Sequence, residues 1–329
     1  MNRDGRTTAQ EARVLVAGDA NVDLVLTGDV VPRFGQEEQL LDGAALVLGS
    51  SAGIVAHGLA RLGVDVSLVA CVGDDEFGRV TTARLREGGV ATGTVRVVPG
   101  SATGLSVVLS APADRSILTD VGAMTAVRAA DVRAALVAAR ASGRPFTHLH
   151  VASWFLLPEL VAGLPALFAE LRADGVTVSL DTNWDPAGRW EGLAEALPHV
   201  DVFLPNLEEL RAVAAVLGGP APDDESAARA IAAHGPAVVV KAGRDGGWSV
   251  RAGEPVVTHP GLVLDVVDTT GAGDSFDAGW LAAACAAAAD DLERLRWAAT
   301  AGSLSTRAAG GTGAQATRSE LTAAVEVTA

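Results

Sequence analysis

The feature that most narrows the possible folds of this chain is an alternation. Short β-branched and aliphatic runs occur at 13–17, 64–72, 147–152, 176–181, 200–205 and 236–242. They take turns with Ala/Leu-rich stretches of helical pattern at 51–62, 76–89, 126–141, 157–173, 207–217, 224–234, 273–288 and 292–308. The strand runs are short and continuously apolar, as in strands covered on both faces. A repeated β-α-β order needs crossover connections, and these build a parallel sheet with helices on both sides. The expected fold class is therefore α/β, a doubly wound, mostly parallel sheet with helices on both faces.

Two segments break the rhythm. Residues 24–48 and 92–122 carry alternating β-type runs with no helix between them, such as Leu105-Ser-Val-Val-Leu-Ser and Ser116-Ile-Leu-Thr. They read as antiparallel strands of a small accessory sheet, a lid. Such a sheet cannot bury itself alone. It must cover the main domain or pair with a second subunit, so a homodimer through the lid is one expectation. The main domain is expected over 12–315, with 1–11 as a flexible N-terminus.

Composition removes several functions. The 329 residues carry a formal net charge of −15, and no basic run stands out. Nucleic acid is excluded as the main partner, because phosphate backbones require clustered Lys and Arg. The longest apolar stretch, 281–289, is too short to span a bilayer, and Met1 to Glu11 has no apolar signal core. The two cysteines, Cys71 and Cys285, lie in apolar surroundings and read as buried free thiols. The expectation is a protein of the reduced cytoplasm with a small-molecule substrate.

The strongest chemical motif is Asp268-Thr-Thr-Gly-Ala-Gly-Asp-Ser-Phe-Asp-Ala-Gly, which leads into an Ala-rich helix. Gly271, Ala272 and Gly273 can present successive N–H groups at a helix N-terminus, where the dipole favours an anion. Asp274 lies in the first turn of that helix. A carboxylate beside a phosphate pocket repels phosphate, so it makes sense as a base for an attacking hydroxyl. The bland alternative is a capped helix with an acidic first turn. A dinucleotide fold lacks its third Gly at the right offset, and no Walker A run occurs.

Other constellations support this one. Asn21 and Asp23 stand at i and i+2 on an extended segment and so point the same way, either toward sugar hydroxyls or as a turn-capping pair. Asn206 and Glu209, at i and i+3, share a helix face, as a phosphate-side pair or as a capping box. Lys241-Ala-Gly243-Arg-Asp-Gly246 follows a strand. It reads as a tight turn approaching a nucleotide, or as a plain hairpin turn.

In their order along the chain these motifs resemble the ribokinase-like (PfkB) carbohydrate kinases, from about Val14 to about Ala314. The resemblance implies ATP and Mg²⁺, with Asp274 as base and the Gly271–Gly273 amides as anion hole. It implies sugar contacts at Asn21, Asp23, Gly49, Ser50, Ser51, Ile54 and Thr103, with Trp154 either at the pocket or in the core. It implies nucleotide-side roles for Asn183, Asn206, Glu209, Lys241, Gly243 and Gly246, with Glu209 organising Mg²⁺ through water. Asp268 and Thr270, with the 305–313 loop, match the family's K⁺ position. Ser50 replaces a second Gly and Ile54 replaces an Asn, so the pocket is less polar there, as a deoxygenated sugar or an aglycone would suit. A nucleoside kinase of the same family and a non-catalytic sugar sensor are the rival readings.

Overall fold

The computed structural model describes residues 12–36, 38–111, 115–286 and 290–328. The expected flexible segment 1–11 lies outside them. The chain opens with β1 (Arg13–Ala17), β2 (Asn21–Gly28), β3 (Leu41–Leu48), α1 (Ser51–Arg61), β4 (Asp65–Gly73), α2 (Glu76–Glu87), β5 (Val95–Val98), β6 (Gly104–Ser110) and β7 (Arg115–Asp120). Next come α3 (Ala129–Ala141), β8 (His148–Val151), α4 (Pro158–Val161), α5 (Leu164–Ala173), β9 (Thr177–Leu180), α6 (Leu193–Ala196), β10 (Val202–Phe203), α7 (Leu207–Gly218) and α8 (Asp224–Ala232). It ends with β11 (Ala237–Lys241), β12 (Gly247–Val250), β13 (Val257–His259), α9 (Ala272–Cys285), α10 (Asp291–Ser305) and α11 (Arg318–Thr328).

The main sheet runs β13-β12-β11-β10-β9-β8-β1-β4-β5. It is parallel from β11 to β5, and the β11-β12-β13 meander is antiparallel. The period-2 geometry of a strand sends successive side chains to opposite faces, and two separate cores follow from it. Leu15, Ala17, Leu149, Val151, Val238 and Val240 join one core with residues of α3, α5, α7 and α8. Val14, Val16, Leu68, Ala70 and Val239 join the other with residues of α1, α9, α10 and α11. Burial on both faces is why the strands read as unbroken apolar runs.

The lid is a separate sheet of order β3-β2-β6-β7. Its inner face follows from register: Asp23 pairs Ser106, which pairs Thr119, and Val25 pairs Val108, which pairs Ile117. Val25 and Val108 are buried. The outer face carries Leu24, Leu26, Leu46, Val107, Leu109 and Leu118, partly exposed throughout.

Three expectations are corrected. The lid segment expected at 92–122 splits, because β5 pairs β4 in the main sheet. The 157–173 stretch is broken at Gly163 into α4 and α5. The domain continues past 315, since Leu321 and Val325 of α11 are buried in the core. The hairpin strands β12 and β13 and the helix α11 carried too little period or length to stand out in the sequence.

Candidate active site

In open α/β sheets, ligands bind beyond the carboxyl ends of the strands. Asp19, Ser153, Asp181, Asn206 and Lys241 all lie at the C-terminal end of a strand in the main sheet or just beyond it. Lys241 lies against Gly273 of α9, and Asp19 bears on both Asp23 of the lid and Asp274 of α9.

The motif chosen from sequence forms a tight turn at the start of α9. Gly271 is its N-cap, with φ of 70°, and a Cβ there would meet Gly311 Cα at 2.6 Å. Only glycine combines that backbone with so close a neighbour. The Ala272 N–H donates to the Thr269 carbonyl (3.2 Å), so this amide is engaged inside the turn. First-turn amides lack intrahelical acceptors, and those of Gly273 and Asp274 fall in that class. Of the expected Gly271-Ala272-Gly273 run, the Ala272 amide is therefore taken up within the turn.

Asp274 is partly buried. Desolvation and the nearby Asp181 carboxylate raise its carboxyl from the usual range to about 7, and Lys241 and a hydrogen bond with Ser51 oppose the rise. A base poised near neutrality suits proton abstraction from a hydroxyl. Ser51 is itself held in place: Asn183 Nδ2 donates to its Oγ (2.6 Å), and Asn183 Oδ1 accepts from the Ser153 N–H (2.8 Å). Two residues expected on the sugar and nucleotide sides therefore orient the candidate base.

On the sugar side, Asn21 Nδ2 donates to Asp23 Oδ1 at 3.0 Å, so the two side chains do converge. Burial and the neighbouring Asp19 raise the Asp23 carboxyl to about 6. Gly49 is indispensable to this geometry, because a Cβ there would lie 2.0 Å from Asp23 Oδ1. Ser50 has φ of 67°, a glycine-type backbone kept at a serine, and its Oγ caps α1 by accepting from the Gly53 N–H. Asp19 completes the cap, accepting from Ala52 N–H at 3.0 Å. Ile54 is buried, and its side chain packs against Gly311.

On the nucleotide side, Asn206 and Glu209 form a full capping box. Asn206 Oδ1 accepts from the Glu208 and Glu209 amides, and Glu209 Oε2 accepts from the Asn206 amide, all at 2.9 Å. Burial and Asp181 push the Glu209 carboxyl up to about 7. Gly243 and Gly246 shape the β11–β12 hairpin turn. At Gly246 a Cβ would strike His259 O at 2.2 Å, so its role here is close packing.

Lys241 is corrected as a nucleotide ligand. Its ammonium is almost wholly buried and donates to Asp181 Oδ2 (2.8 Å) and Asp277 Oδ2 (3.2 Å). Burial alone would lower its pKa, but the carboxylates of Asp181, Asp277 and Glu209 hold it well above the ordinary value. Burial beside the other acids drives the Asp277 carboxyl well above its usual range.

Two sugar contacts are corrected as well. Trp154 is a fully buried core side chain packed with the apolar residues under α4 to α6. Thr103 is buried and spent on structure: its Oγ1 donates to Asp75 Oδ1 (2.6 Å) and accepts from the Gly73 amide (2.8 Å). Sequence reasoning missed Asp19, Asp277 and Arg115. Of these, Asp19 and Asp277 sit inside motifs already singled out, which is a signal that could have found them.

Cation fit was tested on the donor sets. Asp268 accepts from Thr270 N–H (2.9 Å), Thr270 Oγ1 (2.8 Å) and Gly310 N–H (2.8 Å). The last of these bonds ties the 305–313 loop to the motif. Asp181 is bonded to Lys241, which leaves Glu209, beside Asn206, as the carboxylate that could hold a hydrated divalent ion through water. No group of three or more metal-ligating side chains converges among the described residues.

Comparison with known proteins gives the family of the chain. The model of the pfkB family carbohydrate kinases matches residues 12–318. The chain is 32% identical over 271 residues to the ATP-dependent ribose-1-phosphate kinase of Halopiger xanaduensis, covering 82% of this chain and 84% of that one. It is 28% identical over 308 residues to the ribokinase of Bacillus subtilis, covering 94% and 97%. The solved Arabidopsis thaliana ribokinase, complexed with ribose and ATP, superposes with a TM-score of 0.79 at 24% identity, covering 96% and 99%. No helix among the described residues is long and apolar enough to cross a membrane.

Proposed function

Since this chain belongs to the pfkB family of carbohydrate kinases, we propose that it transfers the γ-phosphoryl group of ATP to a hydroxyl of a sugar or sugar derivative. One observation carries the reading: Asp274, its carboxyl raised to about 7, stands partly buried in the first turn of α9, where the helix amides are close by. Asn21 and Asp23 hold sugar hydroxyls, with Gly49 leaving room for the carboxylate. Asp274, oriented by Ser51, takes the proton of the attacking hydroxyl. The new O–P bond forms as the bond to the bridging β,γ-oxygen breaks, and ADP leaves. The amides of Gly273 and Asp274 stabilise charge on the moving phosphoryl group.

Mg²⁺, organised through water by Asn206 and Glu209, would neutralise triphosphate charge. The Asp268, Thr270 and 305–313 assembly is the place for K⁺. The inner face of the lid excludes water, which otherwise competes as acceptor. The outer face, with Leu24, Leu26, Leu46, Val107, Leu109 and Leu118, is covered by the lid of a second copy. An apolar sheet face of this kind is rarely left in water.

The nucleoside kinase reading is weakened because Trp154 is in the core and cannot clamp a base. The Halopiger relative's name brings ribose 1-phosphate into the range of acceptors. The test is an ADP-release screen over pentoses, hexoses, sugar acids, sugar phosphates and nucleosides, with Asp274→Asn as control. Acceptor-dependent turnover lost in the variant supports the reading. No turnover on any acceptor, with ligand binding unchanged in Asp274→Asn, points to the sensor instead.

A further inference from the structure

The phosphoryl-transfer reading leaves one buried cluster without a task. Lys241 ends β11, Asp181 follows β9, and Asp277 lies one turn beyond Asp274 on α9. The two carboxylates are 1% and 0% exposed at their side chains, and both hold the ammonium. Asp277 Oδ1 has no hydrogen-bond partner at all. Burying three ionisable groups costs several kcal/mol per ion, which a sheet–helix joint does not require. The Lys241 chain also lies along the catalytic turn: a Cβ on Gly273 would sit 3.4 Å from its Cδ and 3.8 Å from its Nζ.

We propose that Lys241 is a positioning residue for phosphoryl transfer: clamped between Asp181 and Asp277 and packed against Gly273, it sets its ammonium beside the start of α9 and keeps the first turn of that helix seated. This rests on the assignment of Asp274 as base. The charged groups of this crevice come from every side. Asp181 follows β9, Asp19 follows β1, Asp277 is on α9, Glu209 on α7, and Asp268 on the loop before α9. Asp23 and Arg115 belong to the lid, and the buried His150 to β8. Lys241 is the only lysine in that set, and Arg115 is bonded to the loop at Thr269 and Thr270. Its effect on Asp274 is opposed by Asp181, so the net outcome depends on the ammonium being present.

The geometry distinguishes this role from nucleotide binding. A phosphate ligand presents its ammonium outward, whereas both contacts of Lys241 are to buried protein carboxylates.

The experiment compares the wild-type protein with Lys241→Met, Lys241→Arg and Asp274→Asn, measuring kcat/KM for the best acceptor against pH, KM for ATP, and thermal unfolding. In Lys241→Met the acid limb of the profile moves up by about one pH unit or more, with KM for ATP within about twofold of wild type. Lys241→Arg keeps the limb near its wild-type position. If Lys241→Met is folded and its limb does not move, the proposal is overturned. A large rise in KM for ATP without a shifted limb overturns it in favour of a nucleotide ligand. Should Lys241→Met fail to fold, Lys241→Met/Asp277→Asn removes the carboxylate left without a counter-ion and carries the same expectation. An active Asp274→Asn overturns the assignment of the base itself. An inactive Asp274→Asn with an unshifted Lys241 variant overturns this inference alone.

Discussion

Arg115 Nη1 of the lid lies 3.0 Å from Thr270 Oγ1 and 3.4 Å from Thr269 Oγ1 of the loop that leads into α9. This contact joins the tip of β7 to the run that carries Asp274, 155 residues later for Thr270. The guanidinium also bears on Asp23 and Asp268, favouring their ionised forms. One lid side chain thus touches the electrostatics of both the sugar end and the phosphoryl end. Arg115→Ala should lower kcat/KM by about tenfold, roughly the loss of one charge-assisted hydrogen bond. Its unfolding temperature should stay within about 2 °C, because an exposed contact contributes little to stability. Steady-state kinetics and a melting curve check both, and unchanged kinetics would count against a working closed lid.

Asp274→Asn should reduce kcat by about 10²–10⁴-fold, the range of a general base, while sugar binding persists. Calorimetric titration of the variant with the acceptor separates loss of chemistry from loss of binding.

The raised Asp274 carboxyl has two pH consequences with definite signs. Activity requires the carboxylate, so kcat/KM should fall as pH drops through about 7. For stability, a folded pKa above the unfolded one means that the native state holds more protons between the two values. Stability therefore declines as pH rises through that window, from about 3.8 to about 7. Asp274→Asn should be the more stable protein at pH 8, by on the order of 1–3 kcal/mol, and the advantage should vanish near pH 4. Paired denaturant titrations at the two pH values decide this.

Gly49→Ala should act on sugar binding. The new methyl would occupy the place of Asp23 Oδ1, 2.0 Å from its Cβ, so the carboxylate must turn away. KM for the sugar should rise by about tenfold or more, with KM for ATP little changed. An unaltered sugar KM would remove Asp23 from the binding set.

Leu118→Asp places a charge on the outer face of the lid, where Leu118 is 58% exposed in the single chain. If a second copy covers that face, the substitution should convert dimer to monomer by light scattering. A wild-type protein that is monomeric at micromolar concentration refutes the interface.

How much of this was legible follows from what a sequence pattern encodes. Val14 and Val16 face one layer of helices and Leu15 and Ala17 the other, so the strand reads as an unbroken apolar run, and repetition of that run with helices between dictates the sheet. The turn at Gly271–Asp274 was equally legible, because its glycines, base and helix are neighbours in the chain. The capping box of Asn206 and Glu209 was readable for the same reason. β5 was misplaced because four residues carry no mark of which sheet they join. Thr103 was misread and Trp154 left open because residue type and proximity to a motif do not tell which way a side chain turns.

By itself, then, the sequence determined the layered fold, the order of motifs and the local geometry of the phosphoryl turn, all of which arise from contacts within a few residues. Only the tertiary structure decided that Lys241 meets Asp181 across 60 residues and Asp277 across 36, that Asn183 reaches Ser51 beside the base, and that Arg115 latches the lid. Those pairings depend on the strand order and on how α9 seats against the sheet. Local propensity and hydrophobic period decide which residues are buried, but the partners of a buried charge are chosen by the packing of distant elements.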